Sequence, residues 1–316
     1  MTTPDPNLCF AETNSKGQGM SVEEFIISVY CWVDDTFNEL LKGQRLRKRG
    51  TMPSLSDPEV IAMELIGEFF GLDEDTHIWR YFREHWRNYF PGIGSRSQFS
   101  KQAANLWAVK QQLQKRVTMA LGTITDPLHI VDAFPLPVSH FKRAKSCSRF
   151  KGEADYGYCA SKSETYYGFK GHLLIDFNGA IAGFTLTPAN DSEREAVWEL
   201  TKLMKSGILL GDKGYLGADF KAELFELKAV QLETPVREKM VDQLPEKWRG
   251  QLNRVRRRVE TTIGQLVKTF NIQRTKGRTL WSLTNRISRK LLSHSLCVLL
   301  NRNEGNAPLQ LAQLIG

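Results

Sequence analysis

The chain has 316 residues, 41% of them hydrophobic and 25% charged, which is typical of a folded protein large enough for more than one domain. Its apolar runs fall short of the roughly 18 residues of a membrane span, and the polar N-terminus lacks a secretory signal pattern. Five scattered cysteines indicate reduced thiols, and a formal net charge of +8 favours a polyanionic partner. We therefore expect a cytoplasmic protein that does not associate with membranes.

The first third of the chain predicts helices. Residues 1–19 are polar and rich in Pro, Asn and Ser, a composition that predicts disorder. Residues 20–121 carry apolar side chains at three- and four-residue spacing, which predicts an all-helical domain of four helices. Ser21, Ser56 and Ser97 are the expected N-caps of the first, second and fourth helices. The fourth is expected to continue towards Met119.

The start of that fourth helix carries polar side chains suited to reading base edges. Arg96, Gln98 and Lys101 follow the glycine turn at residues 91–94. Such residues at a helix start resemble a recognition helix, so we expect the helical domain to be helix-turn-helix-like and to bind DNA. The alternative is an ordinary solvated helix face.

From residue 122 the periodicity becomes that of strands alternating with helices. The fold class predicted for residues 122–316 is therefore α/β, with a mixed sheet covered by helices. Pro135 and Pro137 are expected to end the first strand, and Asn178-Gly179 predicts a hairpin turn. The predicted strands are Leu128–Val131, Tyr156–Ser161, Tyr167–Asp176, Ala180–Thr187, Ile208–Leu210 and Ala229–Thr234, and the predicted helices start at Ser192 and near residues 219, 246 and 282.

Three acids stand where they could hold a metal ion. Asp132 is expected at the end of the first strand, Asp212 follows the strand Ile208–Leu210, and Glu260 lies in the long helix one turn after Arg256. Carboxylates are the ligands of hard cations, so the three could converge on one or two Mg²⁺ ions, with Mn²⁺ as a substitute. Such a centre suits in-line displacement at phosphorus. The alternatives are a turn residue for Asp132 and a helical ion pair for Glu260.

Basic residues cluster around these acids. Four arginines among residues 254–258 repel one another, which helix stability does not explain but a bound phosphate backbone would. Lys170 shares a strand face with His172, for which a structural role is the first interpretation. The residues expected to contact phosphates are Lys142, Arg143, Lys170, Lys213, Arg256 and Arg257.

Several stretches resemble DDE-type insertion-sequence transposases, most closely those of the insertion sequence 982 family. They include VDAFPLPVSHFKRAK (131–145), LLGDKGY (209–215) and RRRVETTIGQLVKTF (256–270), within a similarity spread over residues 20–300. The resemblance implies an RNase H-like domain with Asp132, Asp212 and Glu260 as the metal-binding triad. Around the last acid this sequence departs from related groups, because Lys268 lies one residue beyond the usual lysine position. We still expect Lys268 to lie near DNA.

The resemblance also implies the biology. The helical domain would bind the terminal inverted repeats of the element, and the enzyme would cut DNA there and join the freed 3′-hydroxyls to target DNA. A homodimer on DNA is expected, without a small-molecule cofactor, near the nucleoid of a bacterium or archaeon. Two alternatives remain: a structure-selective nuclease or resolvase, and a DNA-binding protein without catalysis. The helical domain counts against the first, and the three acids count against the second.

Overall fold

The computed structural model describes residues 19–47, 49–215, 217–234 and 246–316. The disorder predicted for residues 1–19 therefore falls almost entirely outside the described residues. Within the described ranges, no helix has the length and apolar character needed to cross a bilayer. The helices that precede the sheet are α1 (Val22–Leu41), α2 (Asp57–Phe69), α3 (Asp75–His85), α4 (Arg96–Asn105) and α5 (Trp107–Leu121).

The predicted caps Ser21 and Ser56 are confirmed, each in a capping box. The predicted cap Ser97 is wrong by two residues. Ser95 caps α4 instead, because its hydroxyl accepts from the backbone N–H of Gln98 while the Gln98 side chain accepts from the backbone N–H of Ser95. The single helix predicted here is two helices, since α4 ends at Asn105 and α5 begins at Trp107.

The second part of the chain forms a six-stranded mixed sheet. Its strands are β1 (Leu128–His140), β2 (Asp155–Cys159), β3 (Glu164–Asp176), β4 (Ile181–Pro188), β5 (Gly207–Leu210) and β6 (Val230–Glu233). Their order is β2-β3-β1-β5-β6, with β4 also beside β3. Strands β1, β2 and β4 pair antiparallel with β3, whereas β5 pairs parallel with β1 and β6. The predicted fold class, a mixed α/β sheet after a helical region, is confirmed.

Strand β1 does not end at its prolines, so that prediction is wrong. β1 pairs with β3 as far as His140, and Pro135 lies opposite Lys170. The carbonyl of Pro135 accepts from the Gln273 side chain, on the edge away from β3. The N and C=O of a strand residue point to the same edge, so the missing N–H of Pro135 costs no ladder bond with β3. Because β5 pairs only with Leu128–Ile130, that edge of β1 has no partner strand, and such an edge tolerates proline.

Helices cover both faces of the sheet. The helices that follow β1 are α6 (Phe141–Ala144), α7 (Glu193–Leu200), α8 (Ala218–Lys228), α9 (Glu246–Lys268) and α10 (Leu280–Asn303). One face carries Ile130, Phe134 and Leu173 and shares a core with α9, α10 and the N-terminal helices. The other face carries Val131 and Leu174 and packs against α7 and α8.

The last helix returns to the N-terminal block, since α10 packs against α2 and α5. A buried ion network joins these elements. It consists of three cations, Lys110, Arg289 and Lys290, and three carboxylates, Glu64, Glu68 and Asp75. The division at residue 121 stays a prediction, because the helical region also receives α10 from the far end of the chain.

Candidate active site

Asp132 and Asp212 occupy matching positions on neighbouring parallel strands. The last paired residues of β1 and β5 are Ile130 and Leu210, and each acid lies two residues beyond its member of that pair. Adjacent strands run about 4.8 Å apart, so this register brings the two acids together. They meet where β5 ends while β1 continues, which leaves an opening in the sheet. Ligands commonly bind at such carboxyl ends of parallel strands.

Burial and a neighbouring acid disfavour the ionised form of Asp132. Burial raises the pKa of Asp132 to about 6; the backbone N–H of Ala133 opposes this shift, and the charge of Asp212 adds to it. The Ala133 N–H donates to the Asp132 carboxylate at 2.8 Å. The charge of Arg256, from α9, also lowers this pKa. The Asp132 carboxylate therefore lies within electrostatic reach of both the second acid and the long helix.

A third acid at this opening was missed by the sequence interpretation. Glu193 is the first residue of α7, and its charge raises the pKa of Asp132. Burial raises the pKa of Glu193 itself, Lys170 lowers it, and Asp212 raises it. An acid in the first turn of a helix is favourable for the helix dipole anyway, so the sequence carried no separate signal for this position.

Gly214 makes room for two of these carboxylates. A Cβ at this residue would collide with Glu193 Oε2 and would lie 3.2 Å from Asp212 Oδ1. The backbone N–H of Gly214 also donates to Asp212 Oδ1. The side chains of Glu193 and Asp212 therefore converge on one glycine, and the order Asp212-Lys213-Gly214 explains why no side chain separates them.

Beneath the acids lies Tyr215, which has no exposed surface. Its hydroxyl has no hydrogen-bond partner among the described residues. Burial raises the pKa of Tyr215 well above its usual value, and the charges of Glu193, Asp132 and Asp212 raise it further. A buried hydroxyl without a hydrogen-bond partner costs free energy. The presence of this hydroxyl within reach of three carboxylate charges therefore needs an explanation.

Glu260, the predicted third ligand, stands apart from this group. Its side chain is exposed, and no hydrogen bond or ion pair joins it to another residue in the described ranges. It lies one helical turn after Arg256, whose charge acts on Asp132, so α9 carries it along the same side of the opening. The structure thus brings Asp132 and Asp212 together by register and leaves Glu260 exposed on α9, without contact to either.

The donor set at the opening fits a divalent cation. Asp132, Asp212 and Glu193 offer carboxylate oxygens, the ligand type that Mg²⁺ prefers, and the Tyr215 hydroxyl is unsatisfied next to them. Their ligand atoms do not all lie within 4.8 Å of one another in this conformation. The group that meets this spacing in the described part of the chain is Asp73, Glu74 and His77, far along the chain at the start of α3.

Most of the predicted DNA contacts lie on the surface. Arg96 donates to the Thr76 hydroxyl, and the Gln98 side-chain oxygen is engaged by the capping box at Ser95. The side chain of Lys213 lies outside the described residues. Exposed side chains among the predicted contacts are Arg96, Gln98, Lys101, Lys142, Arg143, Arg257 and Lys268.

The arginines of α9 are better satisfied than their spacing predicts. Arg258 stacks on the Phe177 ring at 4.0 Å and donates to the Phe177 carbonyl, and Arg256 is half-buried and acts on Asp132. Only Arg254 and Arg257 in this run are fully exposed. Arg256 and Arg258 therefore interact with other groups of the protein. A bound phosphate backbone is needed to explain only Arg254 and Arg257.

Lys170 and His172 lie on the sheet face opposite Asp132, because Asp132 pairs with Leu173 across the β1–β3 ladder. His172 is buried and contacts the Thr187 hydroxyl at 2.9 Å, and burial lowers its pKa to about 4. These contacts agree with the structural interpretation of this histidine. Lys170 Nζ donates to the Asp191 carbonyl at 3.1 Å and lies 3.7 Å from Glu193 Oε1, so it reaches the acids from the α7 side.

A family model described as a transposase DDE domain matches residues 122–280, just over half of the chain. The structure is similar to one titled as a piggyBac transposase synaptic complex with hairpin DNA, at 12% identity and a TM-score of 0.49. That similarity covers 97% of this chain and 78% of the other, and at this TM-score it carries no argument about function. No curated protein matches the sequence.

Proposed function

We propose a transposase of the insertion sequence 982 type for this chain, which belongs to the transposase DDE domain family. As a DDE transposase it is an enzyme. The finer proposal is that it binds the terminal inverted repeats of an insertion sequence, cleaves phosphodiester bonds there and transfers the 3′-hydroxyl ends into target DNA. We further propose that it works as a homodimer on DNA, in the cytoplasm and near the nucleoid.

One observation carries the catalytic part of this proposal. Asp132 and Asp212 follow the last paired residues of β1 and β5 at the same distance, so their carboxylates meet at the opening of the sheet. The family match, which spans residues 122–280, covers both of these strands and α9. Glu260 completes the proposed triad from α9, and its approach to the other two acids requires a change from the conformation described above.

The residues of the chain have distinct roles in this proposal. Asp132, Asp212 and Glu260 would hold the metal, Mg²⁺ or Mn²⁺, which when bound would stabilise charge at the scissile phosphate. Burial raises the pKa of Asp132, and the charge of Arg256 opposes this shift together with the backbone N–H of Ala133, so both favour the ionised carboxylate that a metal requires. The continuation of β1 beyond β5 holds the Asp132 backbone rigid, since β1 stays paired with β3 on both sides of this residue.

DNA would be held by cationic side chains on α6, on α9 and on the helical region. Lys142 and Arg143 lie on α6, immediately after β1, and Arg257 and Lys268 lie on α9. Arg96, Gln98 and Lys101 at the start of α4 are the proposed contacts of the helical region. Lys213 directly follows Asp212 in the chain, and Lys170 lies 3.7 Å from Glu193. Contacts to phosphates position DNA without reading its sequence, so end specificity is assigned to α4.

A salt titration tests the surface contacts. We expect Lys142→Ala to weaken DNA binding at low salt and to reduce the slope of log affinity against log salt concentration by about one. Lys205→Ala is the matched control, because Lys205 is exposed and lies just before β5, at the opposite end of that strand from Asp212. Fluorescence anisotropy with a labelled duplex measures both. An equal change of slope in the two variants would contradict the proposed DNA path.

A joining assay tests the proposed function itself. The full chain is incubated with Mg²⁺, a target plasmid and DNA that carries the inverted repeats found beside its coding region. We expect cleavage at the repeat ends and covalent joining of their 3′ ends to the plasmid, both lost when the repeats are scrambled. Equal cleavage of scrambled DNA would instead identify a structure-selective nuclease, and binding without cleavage would identify a DNA-binding protein.

A further inference from the structure

We propose that Glu193 is a metal ligand of the same site, beside Asp132 and Asp212, and that Tyr215 is its positioning residue. The ligand is a divalent cation, Mg²⁺ or Mn²⁺. This inference rests on the proposed function, because it adds a residue to the metal centre that the proposed function requires. It goes beyond the triad, in which the third carboxylate comes from α9.

The first argument is the position of the Glu193 carboxylate. One of its oxygens, Oε1, lies 3.7 Å from Lys170 Nζ, beyond hydrogen-bond distance. The other, Oε2, faces the backbone of Gly214, on which Asp212 Oδ1 also converges. An ion pair with Lys170 would explain the first oxygen. It does not explain why the second is turned towards another carboxylate.

The second argument is the Tyr215 hydroxyl. It is buried, it has no partner in the part of the chain that the structure describes, and it lies where the charges of Glu193, Asp132 and Asp212 all act. A tyrosine that served only as core could be a phenylalanine without loss. A buried hydroxyl within electrostatic reach of three carboxylates is available to donate to that ligand set when a cation draws it together.

The third argument is the charge balance. Three carboxylates meet at the opening, whereas the cationic side chains described as acting on them are Arg256 on Asp132 and Lys170 on Glu193. All three acids are at most half-exposed, so water compensates their repulsion only in part. A divalent cation would remove this imbalance, and its binding would be favoured by oxygen ligands alone.

The two elements that supply these groups fit such a role. Glu193 enters from α7, on one face of the sheet, and Asp132 shares the opposite face with the residues that pack against α9. The opening beyond the end of β5 connects the two faces of the sheet. A centre built from Asp132, Asp212 and Glu193 would therefore draw no ligand from α9, and Glu260 would be added by an approach of α9.

Metal binding by the full chain without DNA tests this inference. Mn²⁺ affinity is measured by isothermal titration calorimetry for the unaltered protein, Glu193→Gln and Glu195→Gln. Glu195 is the matched control, since it lies in the same first turn of α7 but is exposed. We expect Glu193→Gln to weaken Mn²⁺ binding by about ten- to a hundredfold and Glu195→Gln to leave it unchanged. Unaltered affinity in Glu193→Gln would overturn the inference.

Asp132→Asn separates this inference from the proposed function. If Asp132→Asn weakens Mn²⁺ binding and Glu193→Gln does not, the metal centre stands and the role of Glu193 fails. If Asp132→Asn has no effect, the proposed metal centre itself fails. Circular dichroism and thermal unfolding of each variant show that the measured protein is folded.

Tyr215→Phe tests the positioning residue, because it removes only the hydroxyl. We expect metal-free stability to stay the same or rise, since an unsatisfied buried group is deleted, while Mn²⁺ affinity falls by about fivefold, the effect of one hydrogen bond. A merely structural tyrosine would shift stability and leave affinity unchanged, and that result would overturn this role.

Discussion

Asp132→Asn is expected to abolish strand cleavage and joining while leaving the fold intact. The change preserves the shape of the side chain but removes the negative charge at the centre of the acid cluster. Metal ions contribute several kcal/mol to reactions of this kind, and each 1.36 kcal/mol is about a factor of ten, so we expect a loss of about a thousandfold or more. The joining assay measures it, with single-turnover conditions to isolate the chemical step.

Glu304→Gln is the control for this experiment, because Glu304 is an exposed acid after the end of α10. It removes the same charge far along the chain from the opening, and its activity should equal that of the unaltered protein. A pH profile gives a second readout. Because burial raises the pKa of the metal-free Asp132 to about 6, protons should compete with the metal below that value, and activity at limiting Mg²⁺ should fall as the pH drops through it. Full activity of Asp132→Asn would refute the metal assignment.

The metal-free protein should respond to pH in the opposite direction. Asp132 has a raised pKa in the fold, so its protonated form is favoured there, and its contribution to stability is present below its unfolded pKa of about 4 and is lost as the pH rises through about 6. The same group thus favours folding when protonated and metal binding when ionised. An unfavourable buried charge of this kind is expected at a functional site, because the metal ion that compensates the charge is also the ion that the site uses.

Most elements of the sheet were predictable because their signals are local. The hairpin between β3 and β4 follows from Asn178-Gly179, and Gly179 adopts the expected positive φ of 90°. Strand β1 was predicted nine residues too short. Whether Pro135 interrupts a strand depends on whether a second strand pairs with that edge, and the length of β5, more than seventy residues later, decides this.

In the candidate site, too, only the residues with a local sequence signal were predictable. Asp132 and Asp212 follow short apolar runs, a pattern visible in the chain, and the structure places them in matching register, Asp132 within β1 and Asp212 beyond β5. Glu193 had a sufficient local explanation as an acid in a first helical turn, and no role was predicted for Tyr215. These two residues become candidates for the site only because α7 approaches the Gly214 backbone. Tertiary packing of this kind has no local signal in the sequence.

The other large effect that we expect is on stability, from Arg289→Met. Arg289 is fully buried in α10, and its guanidinium donates to Glu68, to Asp75 at 2.6 Å and to the Asp73 carbonyl at 2.6 Å. The neighbouring carboxylates raise its pKa, although burial alone would lower it. Removal of one partner leaves an uncompensated buried charge, so we expect the free energy of unfolding to fall by about 3–5 kcal/mol. Urea denaturation measures it.

A double variant distinguishes charge imbalance from lost packing. The network contains three cations and three carboxylates, so Arg289→Met leaves one excess negative charge, and Asp75→Asn should remove it while the pairs Lys110–Glu64 and Lys290–Glu68 remain. We therefore expect the double variant to be more stable than Arg289→Met alone. Lys202→Met, which breaks an exposed pair with Glu199, is the surface control and should change little. If the two destabilisations simply add, packing and not charge dominates at this junction. Because α10 packs against α9 as well as against α2 and α5, the element that carries this network also connects the helix of Glu260 to the helical region.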